Sequence, residues 1–195
     1  MGAVAARVAD VRNRIGSDVT VVAVTKGFGV DAVREAVDAG LVDIGENYAQ
    51  ELVAKADVDG VRWHFLGHVQ RNKVAMLRPH VEVWQGIDRA LDLPGRVLVQ
   101  VNLSGLPQRN GCGWEEAAEL ASAMANVVGL MGVAGPGDPR PQFRRLAALA
   151  KELGLSEVSM GMSGDYEAAV QEGATMVRLG TALFGPRPEP PDLRR

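Results

Sequence analysis

Lys26 follows the β-branched run Val19–Val24 and Thr25. An amine at the end of such a run is either partly desolvated or snorkels out to water. Desolvation lowers a lysine pKa and frees the lone pair for Schiff-base formation. Two pairs of small residues, Ser163-Gly164 and Gly180-Thr181, each follow an apolar run and precede helical sequence. Small residues let backbone N–H groups approach an anion, and a helix N-terminus adds partial positive charge. Ser163 can equally serve as a cap for the next helix. Arg178 interrupts the apolar stretch Met176–Leu179. A charge there needs a partner, either a carboxylate such as Glu46 or a ligand ring. A reactive lysine and a phosphate cup together describe one ligand class, a phosphorylated aldehyde.

Other reactive side chains read as structural. His64 alternates with Trp63 and Phe65, which points it inward as a satisfied core histidine. His68 sits in a loop with no visible partner, and His80 after Pro79 reads as superficial. No His/Cys/Asp spacing suggests a metal site. Cys112 is the single cysteine, without a second thiol or a basic neighbour to activate it.

Positioning these residues requires a repeating scaffold. Val4, Val8, Val11 and Ile15 have helical spacing and end at Gly16. Strand patterns follow at Val19–Val24, Val42–Glu46, Trp63–Leu66, Val81–Ile87, Val97–Asn102, Val127–Val133, Glu157–Met160 and Met176–Leu179. Helical patterns separate most of them, including Val30–Ala39 and Tyr48–Ala56. Eight β/α units predict a (β/α)8 barrel of the TIM type with an extra N-terminal helix. A doubly wound open sheet is the alternative. Asp88–Gly95 is too short for a full helix, so the barrel is expected to be shortened after strand four, where its wall could open. In such barrels chemistry sits at the C-terminal strand ends. Lys26, Asn47, Met162, Ser163, Gly180 and Thr181 all fall there.

The chain has 195 residues and 47% hydrophobic composition, enough for one sizeable core. Residues 1–186 are expected to form the barrel. Residues 187–195 are expected to form a Pro-rich, extended or disordered tail. The net charge of -3 comes without a basic stripe, so neither nucleic acid nor an anionic membrane is an expected partner. There is no signal-like apolar run and no membrane span. One cysteine precludes an internal disulfide and suits a cytoplasmic setting. No large apolar surface stripe is visible, so a monomer is expected.

Several separated motifs in order resemble the pyridoxal-phosphate homeostasis protein family, itself similar to the barrel domain of alanine racemases. They are Ala23-Val24-Thr25-Lys26, Gly45-Glu46-Asn47-Tyr48-Ala49-Gln50-Glu51, Trp63-His64-Phe65-Leu66-Gly67 with Gln70 and Asn72-Lys73, Gly129-Leu130-Met131, Ser159-Met160-Gly161-Met162-Ser163, and Val177-Arg178-Leu179-Gly180-Thr181. The resemblance implies pyridoxal 5′-phosphate held as a Schiff base at Lys26, with Asn47 and Met162 beside it. Ser163, Gly180 and Thr181 would hold the phosphate, and Arg178 would face the pyridine nitrogen. A permanently charged donor there weakens the ring as an electron sink. The implied role is cofactor homeostasis without efficient turnover, with apo-enzymes that use the cofactor as candidate recipients.

Two departures stand out. Lys26 is followed by Gly27-Phe28-Gly29, and the family's usual Lys-Ser-Gly appears as Arg109-Asn110-Gly111. An arginine there keeps the charge but cannot accept an aldehyde. An amino-acid racemase is the alternative, weakened because two positioned acid/base groups are needed and neither Tyr48 nor Tyr166 fits from sequence. A Schiff-base aldolase acting on sugar phosphates would explain Lys26 and the cup, but not Arg178.

Overall fold

The computed structural model describes residues 2–187. Of the tail expected over 187–195, Arg187 is described and the residues from 188 on lie outside the described residues. Eight parallel strands pair in sequence order, and the last closes on the first. They are β1 (Thr20–Val24), β2 (Asp43–Glu46), β3 (Arg62–Phe65), β4 (Val81–Ile87), β5 (Arg96–Val101), β6 (Val127–Gly132), β7 (Glu157–Ser159) and β8 (Met176–Leu179). The closing register pairs Thr20 with Met176 and Ala23 with Leu179. This closure overturns the open-sheet alternative.

Helix α1 (Ala3–Ile15) precedes β1. The others are α2 (Val30–Asp38), α3 (Ala49–Lys55), α4 (Arg71–Leu77), α5 (Trp114–Ala123), α6 (Arg140–Glu152), α7 (Tyr166–Gln171) and α8 (Thr181–Phe184). Val4, Val8 and Val11 bury one face of α1, which packs against α2, α7 and α8. Arg7 donates from its guanidinium to Leu183 O at 3.1 Å, tying α1 to the last turn of the chain. Helix α6 begins at Arg140, and Pro141 suits its first turn, where its missing N–H costs nothing.

Side-chain alternation divides each strand between two environments. Val21 and Ala23 of β1 join the shell between sheet and helices, whereas Val24 lines the central cavity. Phe143 and Leu146 of α6 are fully buried in that shell, each contributing about 1.5–3 kcal/mol. Inside the barrel, Val83, Leu98 and Met131 form a small separate apolar layer.

The helix expected to be missing after β4 is missing, yet the wall does not open. β4 pairs directly with β5, with Trp84 opposite Val97 and Ile87 opposite Val99. The return from Asp88 to Gly95 is pinned by side chains instead. Trp84 Nε1 donates to Pro94 O at 2.8 Å, and Asn126 Nδ2 donates to Leu93 O and Gly95 O, each at 2.9 Å. Gly95 has φ +73, and a Cβ there would stand 2.5 Å from Glu82 O. Only glycine makes this turn without displacing backbone.

Candidate functional site

A cavity of about 630 Å³ opens at the C-terminal ends of the strands. Lys26, Asn47, Met162, Ser163, Arg178, Gly180 and Thr181 all line it. Four cations border it (Lys26, Arg109, Arg178 and Arg187) and, among the described residues, no carboxylate does. Such a cavity favours an anion.

Lys26 leaves β1 between two anchored peptide groups. On its N-terminal side, Lys55 Nζ donates to Thr25 O at 3.0 Å. On its C-terminal side, Gly27 N donates to Glu51 Oε2 at 2.8 Å. Thr25 Oγ1 and Lys55 Nζ both donate to Glu46 Oε1 at 2.6 Å. Burial pushes the Glu46 carboxyl above its ordinary range, and the bonds from Lys55 and Thr25 only partly oppose it. Its Oε2 has no partner among the described residues. This buried cluster holds the backbone on both flanks of Lys26 and leaves its amine without a hydrogen bond among the described residues. Burial lowers the pKa of that amine, Arg187 lowers it further, Glu46 opposes, and Arg178 lowers it again. More of the nucleophilic free amine is present at neutral pH than in an exposed lysine.

Across the cavity, the loop after β7 meets the start of α8. Gly161 adopts φ +92, and a Cβ there would stand 2.6 Å from Ala169 Cβ. The tight turn lets Met162 N donate to Asp165 Oδ1 at 2.6 Å. Ser163 Oγ accepts from Ala182 N at 3.1 Å. Ser163 is therefore a cap for α8, not for α7, the helix that follows it in sequence. Its own O–H proton is left to donate into the cavity.

Arg178 is buried and bonded, but not to Glu46. Nη1 donates to Ser159 Oγ at 2.7 Å and Nη2 to Gly132 O at 2.9 Å. The carboxylate expected as its structural partner is bonded to Lys55 instead. Burial pushes the guanidinium down to about 10, with Asp165 opposing, so it remains charged at neutral pH. Two of its five N–H donors are used among the described residues, and the residue lines the cavity.

The profile of the alanine racemase N-terminal domain family matches residues 1–188. A pyridoxal phosphate homeostasis protein of Pseudomonas aeruginosa is 41% identical over 94% of this chain and 93% of its own length. The chain belongs to the pyridoxal phosphate homeostasis protein family. PipY of Synechococcus elongatus, solved without PLP, has 32% identity and a TM-score of 0.84, covering 93% of this chain and 100% of that one. Its form with PLP bound has 30% identity and a TM-score of 0.81. Alanine racemase of Corynebacterium glutamicum, at 18% identity and a TM-score of 0.75, shares the fold, the match covering 95% of this chain and 61% of that one.

Within this family member, several residues depart from their sequence reading. His68 lines the cavity and pairs with Asp88 Oδ2 at 3.2 Å, although no partner was visible in sequence. Tyr48, set aside from sequence, also lines the mouth with 58% of its surface exposed. Tyr166 is buried and does not border the cavity. Arg109 lies on the exposed loop after β5 and reaches the cavity lining. Burial raises the Cys112 thiol to about 11, so it stays protonated and inert. Lys55 and Gln85 were missed, and Glu51 and Ser159 stood in motifs without a role. Glu51 and Lys55 look like an ordinary surface pair four residues apart on a helix, and nothing local signals that Lys55 is buried.

Proposed function

We propose that this chain binds pyridoxal 5′-phosphate covalently through Lys26 and serves its homeostasis as a carrier rather than an enzyme. The observation that carries this reading is the half-buried Lys26 amine, without a hydrogen bond among the described residues, on a cavity that Ser163, Gly180, Thr181 and further cations also line. When bound, the cofactor supplies an aldehyde for reversible attachment and a ring that withdraws electrons. The Ser163 hydroxyl and the backbone at Gly180 and Thr181 would donate to the phosphate. Arg178 would donate toward the pyridine nitrogen and keep it from gaining a proton, which would limit carbanion chemistry. Asn47 and Met162 would lie beside the cofactor. The described residues through Arg187, which itself borders the cavity, form the binding unit.

The names of the curated relatives and the PLP-bound form of PipY support this assignment. Among the described residues, no helix is long and apolar enough to cross a membrane. The proposed setting is the cytoplasm, with apo-enzymes as recipients of the cofactor. Of the exposed large apolar side chains Val42, Tyr48, Leu106 and Met162, Tyr48 and Met162 belong to the cavity rim, which leaves few for a subunit interface and favours a monomer.

Borohydride reduction followed by peptide mass mapping tests the anchor. The expected cofactor mass falls on the peptide holding Lys26, and its appearance on another lysine would contradict the assignment. Tyr48 and His68 at the mouth favour a second reading, an amino-acid racemase. The carrier reading predicts negligible solvent deuterium incorporation at the α-carbon of alanine. Rapid incorporation would establish the racemase.

A further inference from the structure

A chain of hydrogen bonds runs through the barrel interior, from the start of β2 to the cavity. Arg178 Nη1 donates to Ser159 Oγ, and Ser159 Oγ donates to Gln85 Oε1 at 2.6 Å. Gln85 Nε2 lies 2.8 Å from His64 Nδ1 and donates to Met176 Sδ at 3.1 Å. His64 Nε2 lies 2.9 Å from Asp43 Oδ1, which also accepts from Arg62 at 3.0 Å. His64, Gln85 and Ser159 are fully buried.

Donor and acceptor chemistry allows this arrangement one protonation state. An amide nitrogen only donates, so His64 Nδ1 must accept and carries no proton. Asp43 only accepts, so His64 Nε2 carries the proton. The imidazole is therefore neutral. A second proton, on Nδ1, would face the Gln85 amide hydrogens. Gln85 would then have to turn its oxygen toward His64 and its nitrogen toward Ser159. Ser159 Oγ would receive two donors, from Gln85 and Arg178, and its own hydrogen would lose its acceptor.

We propose that His64 is a positioning residue: a neutral imidazole, protonated at Nε2, that sets the direction of the chain ending on Arg178 and so aims that guanidinium into the cavity. The link to cofactor chemistry rests on the pyridoxal phosphate reading; the chain itself does not. The groups facing His64 are Asp43 from β2, Gln85 from β4, Arg62 on its own strand and, at longer range, Arg96 of β5. Arg96 is itself ion-paired with Glu157 of β7. Burial lowers the His64 pKa, and Asp43 opposes.

Nitrogen-15 NMR of the ligand-free full chain tests this directly, since the sequence holds only three histidines. His64 is expected as the Nε2–H tautomer, staying neutral below the ordinary histidine value of about 6.5. Gln85→Glu offers an acceptor to both His64 Nδ1–H and the Ser159 hydroxyl. It should raise the His64 pKa above that of the wild type, because the new carboxylate favours the charged imidazole, while Arg178 keeps its hydrogen-exchange protection. His64→Phe releases the Gln85 amide and should speed exchange of the Arg178 guanidinium about tenfold or more. It should also shift the absorption band of added pyridoxal 5′-phosphate. An ordinary titration of His64, or an Nδ1–H tautomer, overturns the chain. Unchanged Arg178 exchange in His64→Phe overturns the positioning role. If wild type takes up no pyridoxal 5′-phosphate, the site reading fails, while the ligand-free results still decide the role of His64.

Discussion

Two lysines on this barrel have opposite roles, and their partners account for the difference. Lys26 has no bonded partner among the described residues, whereas Lys55 donates to Glu46, Glu51 and the Thr25 carbonyl. Removing one member of a buried pair leaves the other charge uncompensated, at about 3–5 kcal/mol. Lys55→Met should therefore lower unfolding stability by that order in a denaturant titration. It should also weaken pyridoxal 5′-phosphate uptake, because the Thr25 peptide loses its anchor. Lys26→Met should abolish uptake and leave stability within about 0.5 kcal/mol, as expected for a side chain with no bonded partner. The sequence separated these residues badly. Lys26 announced itself by following an apolar strand. Lys55 sat in an unremarkable helical pattern, and its burial arises only when α3 folds back against the ends of β1 and β2.

The elements of the barrel were readable because alternating apolar runs and helical periods impose it locally. β4 and β8 have the bounds that their apolar runs suggest, and α1 extends one residue further at its start. The fate of the short return after β4 was not readable. Its closure depends on Asn126, which lies far along the chain and donates to two carbonyls of the return. Asn126→Ala leaves both acceptors without that donor and should cost about 1–3 kcal/mol, measured as a lowered unfolding midpoint. Gly161→Ala at the turn before Met162 should cost a similar 1–3 kcal/mol. It should also weaken phosphate-dependent binding more than binding of unphosphorylated pyridoxal, since the displaced loop carries Ser163. Equal losses for the two ligands would argue against Ser163 as a phosphate contact.

At the scale of the molecule, the barrel has an unusually polar interior, with Asp43, His64, Gln85, Gln100, Ser159 and Arg178 buried. That was legible only for His64 and Arg178, whose neighbours are apolar. The rest acquire meaning from strands that are distant in sequence. Burial makes the interior acid-labile. His64 has a lowered folded pKa, so the unfolded chain binds its proton first. Stability from this group is present above the unfolded value of about 6.5 and is lost as pH falls below it. Asp43 acts in the same sense at lower pH: burial raises its carboxyl, but His64 and Arg62 outweigh that and hold it below the ordinary range. Glu46, with a raised pKa, acts oppositely. Comparing wild type with His64→Gln between pH 7 and 5 isolates the histidine. The wild-type stability should fall more steeply, by up to about 1.4 kcal/mol per pH unit. Parallel pH profiles would mean that His64 titrates alike in the folded and unfolded chains, and would contradict the lowered folded value.

The measurement that bears most directly on the whole account is the absorption spectrum of the purified protein with and without added pyridoxal 5′-phosphate, for wild type and Lys26→Ala. The account predicts a visible band in wild type, removed by sodium borohydride and missing in Lys26→Ala. A band of equal strength in both proteins, or in neither at high cofactor concentration, would contradict the assignment of Lys26 as the anchor.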